Sequence, residues 1–255
     1  MKLIKSFKYK IQNFSTYFIT WFFPKGRGKL FWKVYVYFRW VDDIVDDMNI
    51  SQGYKRKFLK QQRMFLDSVY GKRKINTNKL NYEEKGIYDV IILNKASKEF
   101  KEHIYNMMWT FDFDIKRVGI KVQEKDLMKY SRYLGYAYAF MFMEFFDVIS
   151  YYEKRYNKLM VKLHGKNVRE LAMDYAHYCH LIHILRDYKK DKKEKLYDNI
   201  PLGTDYLTFK NKIVNIVRPK FEYLHNNVFS SIKILSLRYT MLFIYNKFNN
   251  SLNKL

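Results

Sequence analysis

Glycine and proline are scarce in this chain, and that scarcity constrains its fold more than any other feature. Only nine glycines and three prolines occur in 255 residues. Tight turns between short strands depend on these two residues, so their scarcity disfavours a β-rich fold and favours long helices. No stretch alternates convincingly between apolar and polar residues with a period of two. The sequence therefore predicts an all-α protein.

Helical periodicity and breaker residues place the helices along the chain. Helices are predicted over residues 7–21, 29–48, 52–70, 83–95, 98–118, 124–150 and 167–190, and two more follow a loop at 201–203. Residues 147–156 are expected to continue or kink the helix at 124–150. Since no composition break or internal repeat marks a boundary, residues 1–255 are predicted to form one domain.

The chain is strongly basic, with 48 Lys and Arg against 25 Asp and Glu and a formal charge of +23. A basic surface attracts phosphates, nucleic acid or an anionic membrane. Because the lysines are spread along the chain, most are interpreted as an ordinary solvated surface. The densest basic run comprises Lys189, Lys190, Lys192, Lys193 and Lys195.

Membrane-spanning and secretory signals are weak in this sequence. The longest apolar stretch, residues 134–143, is about half of what a membrane crossing needs. The first ten residues are basic but have no continuous apolar block, so no signal peptide is expected. The predicted location is therefore cytoplasmic, and contact of the weakly amphipathic basic start with a membrane surface is left open.

Two smaller features are interpreted as structural. The single cysteine, Cys179, excludes an internal disulfide, fits a reducing compartment and is expected to be a small core residue. Asp112 and Asp114 lie two apart on a predicted helix and are expected to be solvated near its end.

Four aspartates crowd one predicted helix: Asp42, Asp43, Asp46 and Asp47. On a helix, Asp42 and Asp46 share a face, and so do Asp43 and Asp47. Like charges at this spacing repel by roughly 0.2–0.5 kcal/mol per pair, and aspartate is a poor helix former. The cluster therefore needs a compensating cation. A hard divalent metal bound by one or two carboxylates plus substrate phosphates supplies one.

A second acidic set occupies a later helix, where His183, Asp187 and Asp191 recur every four residues on one face and Arg186 lies beside them. If the two helices face each other, their acidic faces line one cavity suited to Mg²⁺ and a diphosphate. The alternative for each cluster is a solvated face with surface salt bridges. Two clusters in apolar helices, each with an arginine, favour the functional interpretation.

The motifs around these clusters resemble those of the squalene/phytoene synthase family, which belongs to the trans-isoprenyl diphosphate synthases. A serine with aromatic neighbours (Ser15) and a proline (Pro24) precede a Y-x-x-x-R-x-x-D-D-x-x-D helix over residues 35–46. Residues 184–191, followed by Tyr197 and Pro201, resemble the second aspartate motif and its loop. Residues 126–130 match the opening of the family's long central helix. The resemblance covers roughly residues 14–201.

This resemblance implies an isoprenoid-synthase helical bundle around a central cavity and a specific chemistry. Two prenyl diphosphates condense head to head through a cyclopropyl intermediate and release diphosphate, with Mg²⁺ as the cofactor and Mn²⁺ as its substitute. No specific nucleic-acid partner is implied. Reduction to squalene needs NADPH, and no dinucleotide fingerprint supports that cofactor.

The resemblance also implies roles for individual residues. The catalytic set is Asp42, Asp46, Asp187, Asp191 and Arg186, and the metal ligands are Asp42, Asp46, His183, Asp187 and Asp191. Substrate contacts are assigned to Ser15, Tyr35, Arg39, Asp43, Tyr130, His180 and Tyr197. Gln12 and Asn13 fall where the family has further polar contacts.

Departures from the family pattern keep other functions open. His183 stands where asparagine is usual, His180 replaces a glutamine, and Tyr136 and Tyr138 add bulk to the central helix. These changes motivate a class I terpene cyclase that acts on one prenyl diphosphate. A non-catalytic assembly protein that kept the fold is another alternative. A basic helical nucleic-acid binder gives no reason for two acidic faces. The prenyl chain length, the product and the oligomeric state are not determined by the sequence.

Overall fold

The prediction of an all-α protein is confirmed. The computed structural model of the chain describes residues 9–11, 13–23, 26–93, 97–146, 157–158, 160–162, 165–195, 197–223, 226–227, 245–246 and 249–254. Within these ranges the chain is helical and forms no strand, and an isolated bridge joins Lys121 to Asp198. In the same ranges, no helix combines the length and the apolarity that crossing a membrane requires.

The chain divides into two compact units, Met1–Ile115 and Lys116–Leu255. The helices of the first unit are α1 (Phe14–Ile19), α2 (Arg27–Asp46), α3 (Gln52–Tyr70), α4 (Tyr82–Leu93) and α5 (Lys98–Arg117), which ends just past the boundary. Short 3₁₀ turns lie at Thr20–Phe22 and Thr77–Lys79. The second unit contains α6 (Glu124–Phe146), α7 (Val168–Glu194) and α8 (Tyr206–Tyr223). That residues 1–255 form a single domain stays a prediction.

Helix α2 is the central element of the first unit. Its buried side chains recur at helical spacing and include Phe31, Val34, Phe38, Val41 and Val45. Burying one such side chain contributes roughly 1.5–3 kcal/mol, so this face holds the helix in the core. Lys33 forms an ion pair of 2.7 Å with Asp89 on α4.

Helices α6 and α7 pack closely in the second unit, and a glycine permits the approach. A Cβ on Gly135 would lie 2.8 Å from the backbone atoms of Ala176 and His177, which is too short for a real contact. Helix α7 begins with a capping box in which Asn167 and Glu170 satisfy each other's backbone N–H groups. The loop after α7 is fixed to the segment before α6, because the Leu202 N–H donates to the Val122 carbonyl at 2.9 Å.

Most predicted boundaries agree with the structure, and the differences have physical causes. The helix at 52–70 is found as predicted, and the helix at 29–48 spans Arg27–Asp46. Helix α7 runs on to Glu194, beyond the predicted end at 190, since lysine is a good helix former. Residues 147–156 lie outside the described residues.

The two smaller predictions have opposite outcomes. Cys179 is a buried core residue, as predicted. The expectation that Asp114 is solvated is wrong, because it is a buried residue of α5. Asp114 lies three and four residues after the buried Phe111 and Thr110 and therefore falls on the same inward face.

Candidate functional site

The first aspartate motif lies on the polar face of α2 in the first unit. Tyr35, Arg39, Asp42 and Asp46 follow one another at spacings of four, three and four, so they share this face. The Arg39 guanidinium bridges two carboxylates, with Nη1 3.0 Å from Asp42 Oδ2 and Nη2 2.5 Å from Asp43 Oδ1. Burial lowers the pKa of Arg39, but the charges of Asp42 and Asp43 raise it by more, so the net shift is upward. The motif therefore carries its own fixed cation.

A second cation, on α3, interacts with the carboxylates at the end of α2. Lys55 on α3 is almost completely buried. Burial lowers the pKa of Lys55, and the nearby charges of Asp46 and Asp47 partly oppose that shift. The carboxylates at the end of α2 thus have a buried ammonium group as a neighbour, which the sequence analysis did not anticipate.

Residues that precede α2 in the chain form hydrogen bonds with α2 or α4. The Tyr35 hydroxyl donates to Asn13 Oδ1 at 2.7 Å, and the Tyr9 hydroxyl donates to Glu83 Oε1 at 3.3 Å. Burial is the main reason that the pKa of Tyr9 is raised, and Glu83 and Asp43 add to the shift. Ser15 lies in α1, but its side chain is outside the described residues, and so is Gln12.

The second aspartate motif lies near the end of α7 in the second unit. Arg186 donates to both oxygens of Asp187, with Nε 2.7 Å from Oδ1 and Nη2 2.6 Å from Oδ2. Burial raises the pKa of Asp187, while the hydrogen bonds and charge of Arg186 lower it more, so the net shift is downward. Asp187 is therefore ionised at neutral pH. His183 lies one turn earlier and also lowers the pKa of Asp187.

Asp191 is tied to the rest of the second unit through a buried arginine. The Arg117 guanidinium lies over two rings, 4.5 Å from the centre of Tyr130 and 4.3 Å from that of Tyr197. It donates to Asn199 Oδ1, and Asn199 Nδ2 in turn donates to Asp191 Oδ2 at 3.2 Å. This chain of contacts, which we call the Arg117 bracket, brings Tyr130, Tyr197 and Asp191 together. The planar guanidinium stacks on aromatic rings in a way that a lysine does not.

Two histidines share one serine between α6 and α7. Ser131 Oγ lies 3.2 Å from His177 Nδ1 and 3.1 Å from His180 Nδ1. Burial lowers the pKa of His177 to about 4 and holds that of His180 well below its usual value, although hydrogen bonds to the Ser131 backbone oppose both shifts. Both imidazoles are therefore neutral at pH 7. His180 also packs against Tyr130, with ring centres 5.5 Å apart.

Comparison with known proteins decides the family. A model of squalene/phytoene synthase matches residues 11–209, more than three quarters of the chain. The chain belongs to the squalene/phytoene synthase family. Its helical architecture is that of an isoprenoid synthase, as the motifs predicted. No curated protein and no solved structure matches this chain.

Membership of the squalene/phytoene synthase family indicates a general chemistry. Members of the family are prenyltransferases that bind prenyl diphosphates and typically depend on metal ions. Among the described residues, no three His, Cys, Asp or Glu side chains converge as a ready-made cation site. Mg²⁺ is usually held by one or two carboxylates together with substrate phosphates, and each motif offers such oxygen donors.

The structure brings several of the predicted site residues together within each unit. The first unit brings together Tyr35, Arg39, Asp42 and Asp43, and the second brings together Tyr130, His180, Tyr197 and Asp191. Sequence reasoning missed Lys55, Arg117 and Asn199. Asn199 could have been suspected because it lies between Tyr197 and Pro201 of the family loop, whereas Arg117 and Lys55 lie in no recognised motif.

Proposed function

We propose that this chain is a Mg²⁺-dependent prenyltransferase that condenses two prenyl diphosphates head to head and releases diphosphate. One observation carries the proposal. Both aspartate motifs of the family lie on helices as partly exposed carboxylates, and each has an arginine in contact with it. A purely structural ion pair would need neither the repeated carboxylates at i and i+4 nor their exposure.

The donor set fits a hard divalent cation. We assign Asp42 and Asp46 of the first motif, and Asp187 and Asp191 of the second, as the carboxylates that hold Mg²⁺ with the substrate diphosphate. His183 completes the proposed set, although an imidazole nitrogen suits zinc better than magnesium. Mn²⁺ prefers the same oxygen ligands and is expected to substitute. When bound, Mg²⁺ would stabilise the negative charge of the departing diphosphate.

The side chains of this chain supply the remaining chemistry. Arg39 and Arg186 add fixed positive charge beside the carboxylates, where it offsets the charge that develops as the C–O bond of the first substrate breaks. The electron pair leaves with diphosphate, and the double bond of the second substrate supplies the pair for the new C–C bond. Loss of a proton closes the cyclopropane. The second diphosphate then leaves with its electron pair, and the rearranged cation loses a further proton to give a phytoene-like hydrocarbon, since a squalene-like product would need a hydride from NADPH.

We assign the diphosphate and prenyl contacts to a polar and aromatic set: Ser15, Tyr35, Arg39, Asp43, Tyr130, His180 and Tyr197. Aromatic faces stabilise a cation by roughly 0.5–2 kcal/mol each, so tyrosines suit a carbocation. Because burial keeps His180 neutral, it can hydrogen-bond a substrate oxygen but brings no charge to the diphosphate.

A product assay with four variants tests this proposal. The purified chain is incubated with Mg²⁺ and farnesyl or geranylgeranyl diphosphate, and the hydrocarbon is identified by mass. Asp42→Asn and Asp187→Asn are expected to lower turnover by roughly 100-fold or more. Asp89→Asn and Asp174→Asn are the matched controls, because these aspartates form ion pairs with Lys33 and Lys166 outside both motifs. Their turnover should stay close to that of the wild type.

The mass of the product separates the alternatives. A product with the carbon count of two prenyl chains supports head-to-head condensation. An unchanged carbon count points to a terpene cyclase that acts on one substrate. Absence of Mg²⁺-dependent diphosphate release from either substrate points to a non-catalytic assembly protein. Undiminished turnover in both Asp→Asn variants would remove the role assigned to these carboxylates.

A further inference from the structure

An apolar stripe is exposed along the first described helical segment. Ile11, Phe14, Phe18 and Trp21 follow at spacings of three, four and three, so they lie on one side of the segment. Their exposed fractions are 62%, 63%, 37% and 66%. The ring centres of Phe14 and Phe18 are 6.1 Å apart, and those of Phe18 and Trp21 are 5.5 Å apart. The three rings therefore form one continuous surface, and Ile11 lies one helical turn before it on the same side. We call these four side chains the aromatic stripe.

The other side of this segment packs against the rest of the first unit. Ile19 and Phe23 are both buried. Tyr17 makes an edge-on contact with Trp32 of α2 at 5.0 Å between ring centres. Contiguous exposed apolar surface mostly marks a site of interaction, and Phe14 and Trp21 are each more than 60% exposed although these other residues anchor the segment.

The charge of the sequence that contains the aromatic stripe indicates the kind of partner. No Asp or Glu precedes Asp42 in the sequence. The charged residues before it are all basic: Lys2, Lys5, Lys8, Lys10, Lys25, Arg27, Lys29, Lys33 and Arg39. Lys33 and Arg39 form ion pairs with Asp89 and with Asp42 and Asp43, so the basic excess comes from the residues up to Lys29. The Lys10 ammonium lies 4.8 Å from the centre of the Tyr17 ring, beside the stripe. Each basic group near an anionic lipid surface strengthens binding several-fold.

We propose that the aromatic stripe is a docking surface for an anionic lipid membrane. The segment lies in the plane of the interface, with its four apolar side chains among the acyl chains and headgroups and its basic groups beside anionic headgroups. Tryptophan is enriched at this depth in membrane-bound segments. A second copy of this chain suits the surface less well, since it brings the same excess of positive charge. Lipid binding is measured without substrate and does not depend on the proposed reaction.

Vesicle co-sedimentation of the full chain tests the proposal. Large vesicles of phosphatidylglycerol and phosphatidylcholine in equal parts are compared with vesicles of phosphatidylcholine alone. Binding is expected to the anionic vesicles and to weaken as salt is added. The double variant Phe14→Ser and Trp21→Ser should bind at least roughly tenfold more weakly, because each lost side chain removes a large buried apolar area. The matched control is Tyr54→Ser with Met64→Ser on α3, whose side chains are 57% and 58% exposed.

Tryptophan fluorescence adds a measurement of depth. Brominated lipids quench a tryptophan that enters the bilayer, and the difference between wild type and Trp21→Phe isolates the signal of Trp21. Quenching of Trp21 on anionic vesicles supports the proposal. Equal binding by the stripe variant and the α3 control would overturn it, because the contact would then be non-specific charge attraction. A wild-type dimer in light scattering that the stripe variant abolishes would also overturn it, since a second copy would cover the stripe.

Discussion

Arg117 is a buried charge whose surroundings replace its lost hydration. Removal of a guanidinium from water is costly unless its hydrogen bonds and charge are compensated. Here two tyrosine faces and the Asn199 amide provide that compensation, and the same amide fixes Asp191. The arrangement depends on a flat cation between two rings. Arg117 therefore couples the packing of the second unit to the orientation of a motif carboxylate.

Replacement of Arg117 should destabilise the protein even when the charge is kept. Arg117→Met is expected to lower the free energy of unfolding by roughly 2–4 kcal/mol, from the loss of two cation–π contacts and a charged hydrogen bond. Arg117→Lys should restore less than half of that lost free energy, because a compact ammonium group cannot stack between the rings of Tyr130 and Tyr197 as a planar guanidinium does. Urea titration measures both. Arg169→Met is the control, since Arg169 also lies over an aromatic ring, that of Phe140, but at the longer distance of 5.7 Å. An equal loss in control and test would contradict the bracket.

The neutral histidine pair predicts a loss of stability in mild acid. The pKa of His177 is about 4 in the folded chain and about 6.5 when unfolded, so the unfolded state binds the extra proton between these values. The contribution of His177 to the free energy of unfolding is therefore fully present above pH 6.5 and is lost as the pH drops towards 4. The contribution of His177 is roughly 3 kcal/mol. His180 acts in the same direction, whereas Asp187, with its lowered pKa, loses its contribution only at still lower pH.

His177→Asn isolates this contribution to the pH dependence. Asparagine places a polar amide near the position of Nδ1 and does not titrate, so the variant should lose less stability than the wild type between pH 6.5 and 4. Urea unfolding at a series of pH values gives both slopes. Parallel curves for the two proteins would show that His177 does not titrate differently in the folded chain.

At the scale of elements, the contact between α6 and α7 depends on one missing side chain. Gly135→Ala places a Cβ against the backbone of Ala176 and His177, which cannot move aside as a flexible side chain could. The expected loss in the free energy of unfolding is about 1–3 kcal/mol. Gly53→Ala on α3 is the control, because a Cβ there meets nothing within 4 Å and alanine is the better helix former. Thermal unfolding should show Gly135→Ala below and Gly53→Ala at or above the wild-type Tm.

Much of the helical layout could be predicted from the sequence. Period, breakers and caps are local signals, so α3 is found at its predicted bounds and α7 begins at its capping residue Asn167. The predicted end of α7 at residue 190 falls four residues short of the observed end, because lysine is a good helix former and the helix continues to Glu194. The burial of Asp114 was not predicted, because the spacing of Asp112 and Asp114 shows that they point in different directions but not which of them faces the core.

The candidate site was predictable only where it lies in a motif. Asp42 lies three residues after Arg39, so helix geometry brings these two side chains together. Asp187 directly follows Arg186 in the chain, so their side chains are within reach of each other. Arg117 and Asn199 are separated by 82 positions, and their contact depends on how the loop after α7 is fixed to the segment before α6. Long-range contacts of this kind leave no local periodicity, so the Arg117 bracket could not have been found from the chain alone.

At the scale of the whole molecule, the family match and the compact units differ in extent. The match runs over residues 11–209 and crosses the division between Ile115 and Lys116. Each unit holds one of the two aspartate motifs, and the one family model covers both. That residues 1–255 fold as a single cooperative domain stays the prediction made from the sequence.

Calorimetry distinguishes one cooperative domain from two independent units. For one domain, the calorimetric and van't Hoff enthalpies of unfolding should agree, and a single transition should carry the whole heat. Val41→Ala in the first unit and Gly135→Ala in the second should then shift the same transition, since damage to either side destabilises the whole. If each variant moved a separate peak and left the other unchanged, the single-domain prediction would be wrong. The product assay tests the proposed roles of the carboxylates independently of that result.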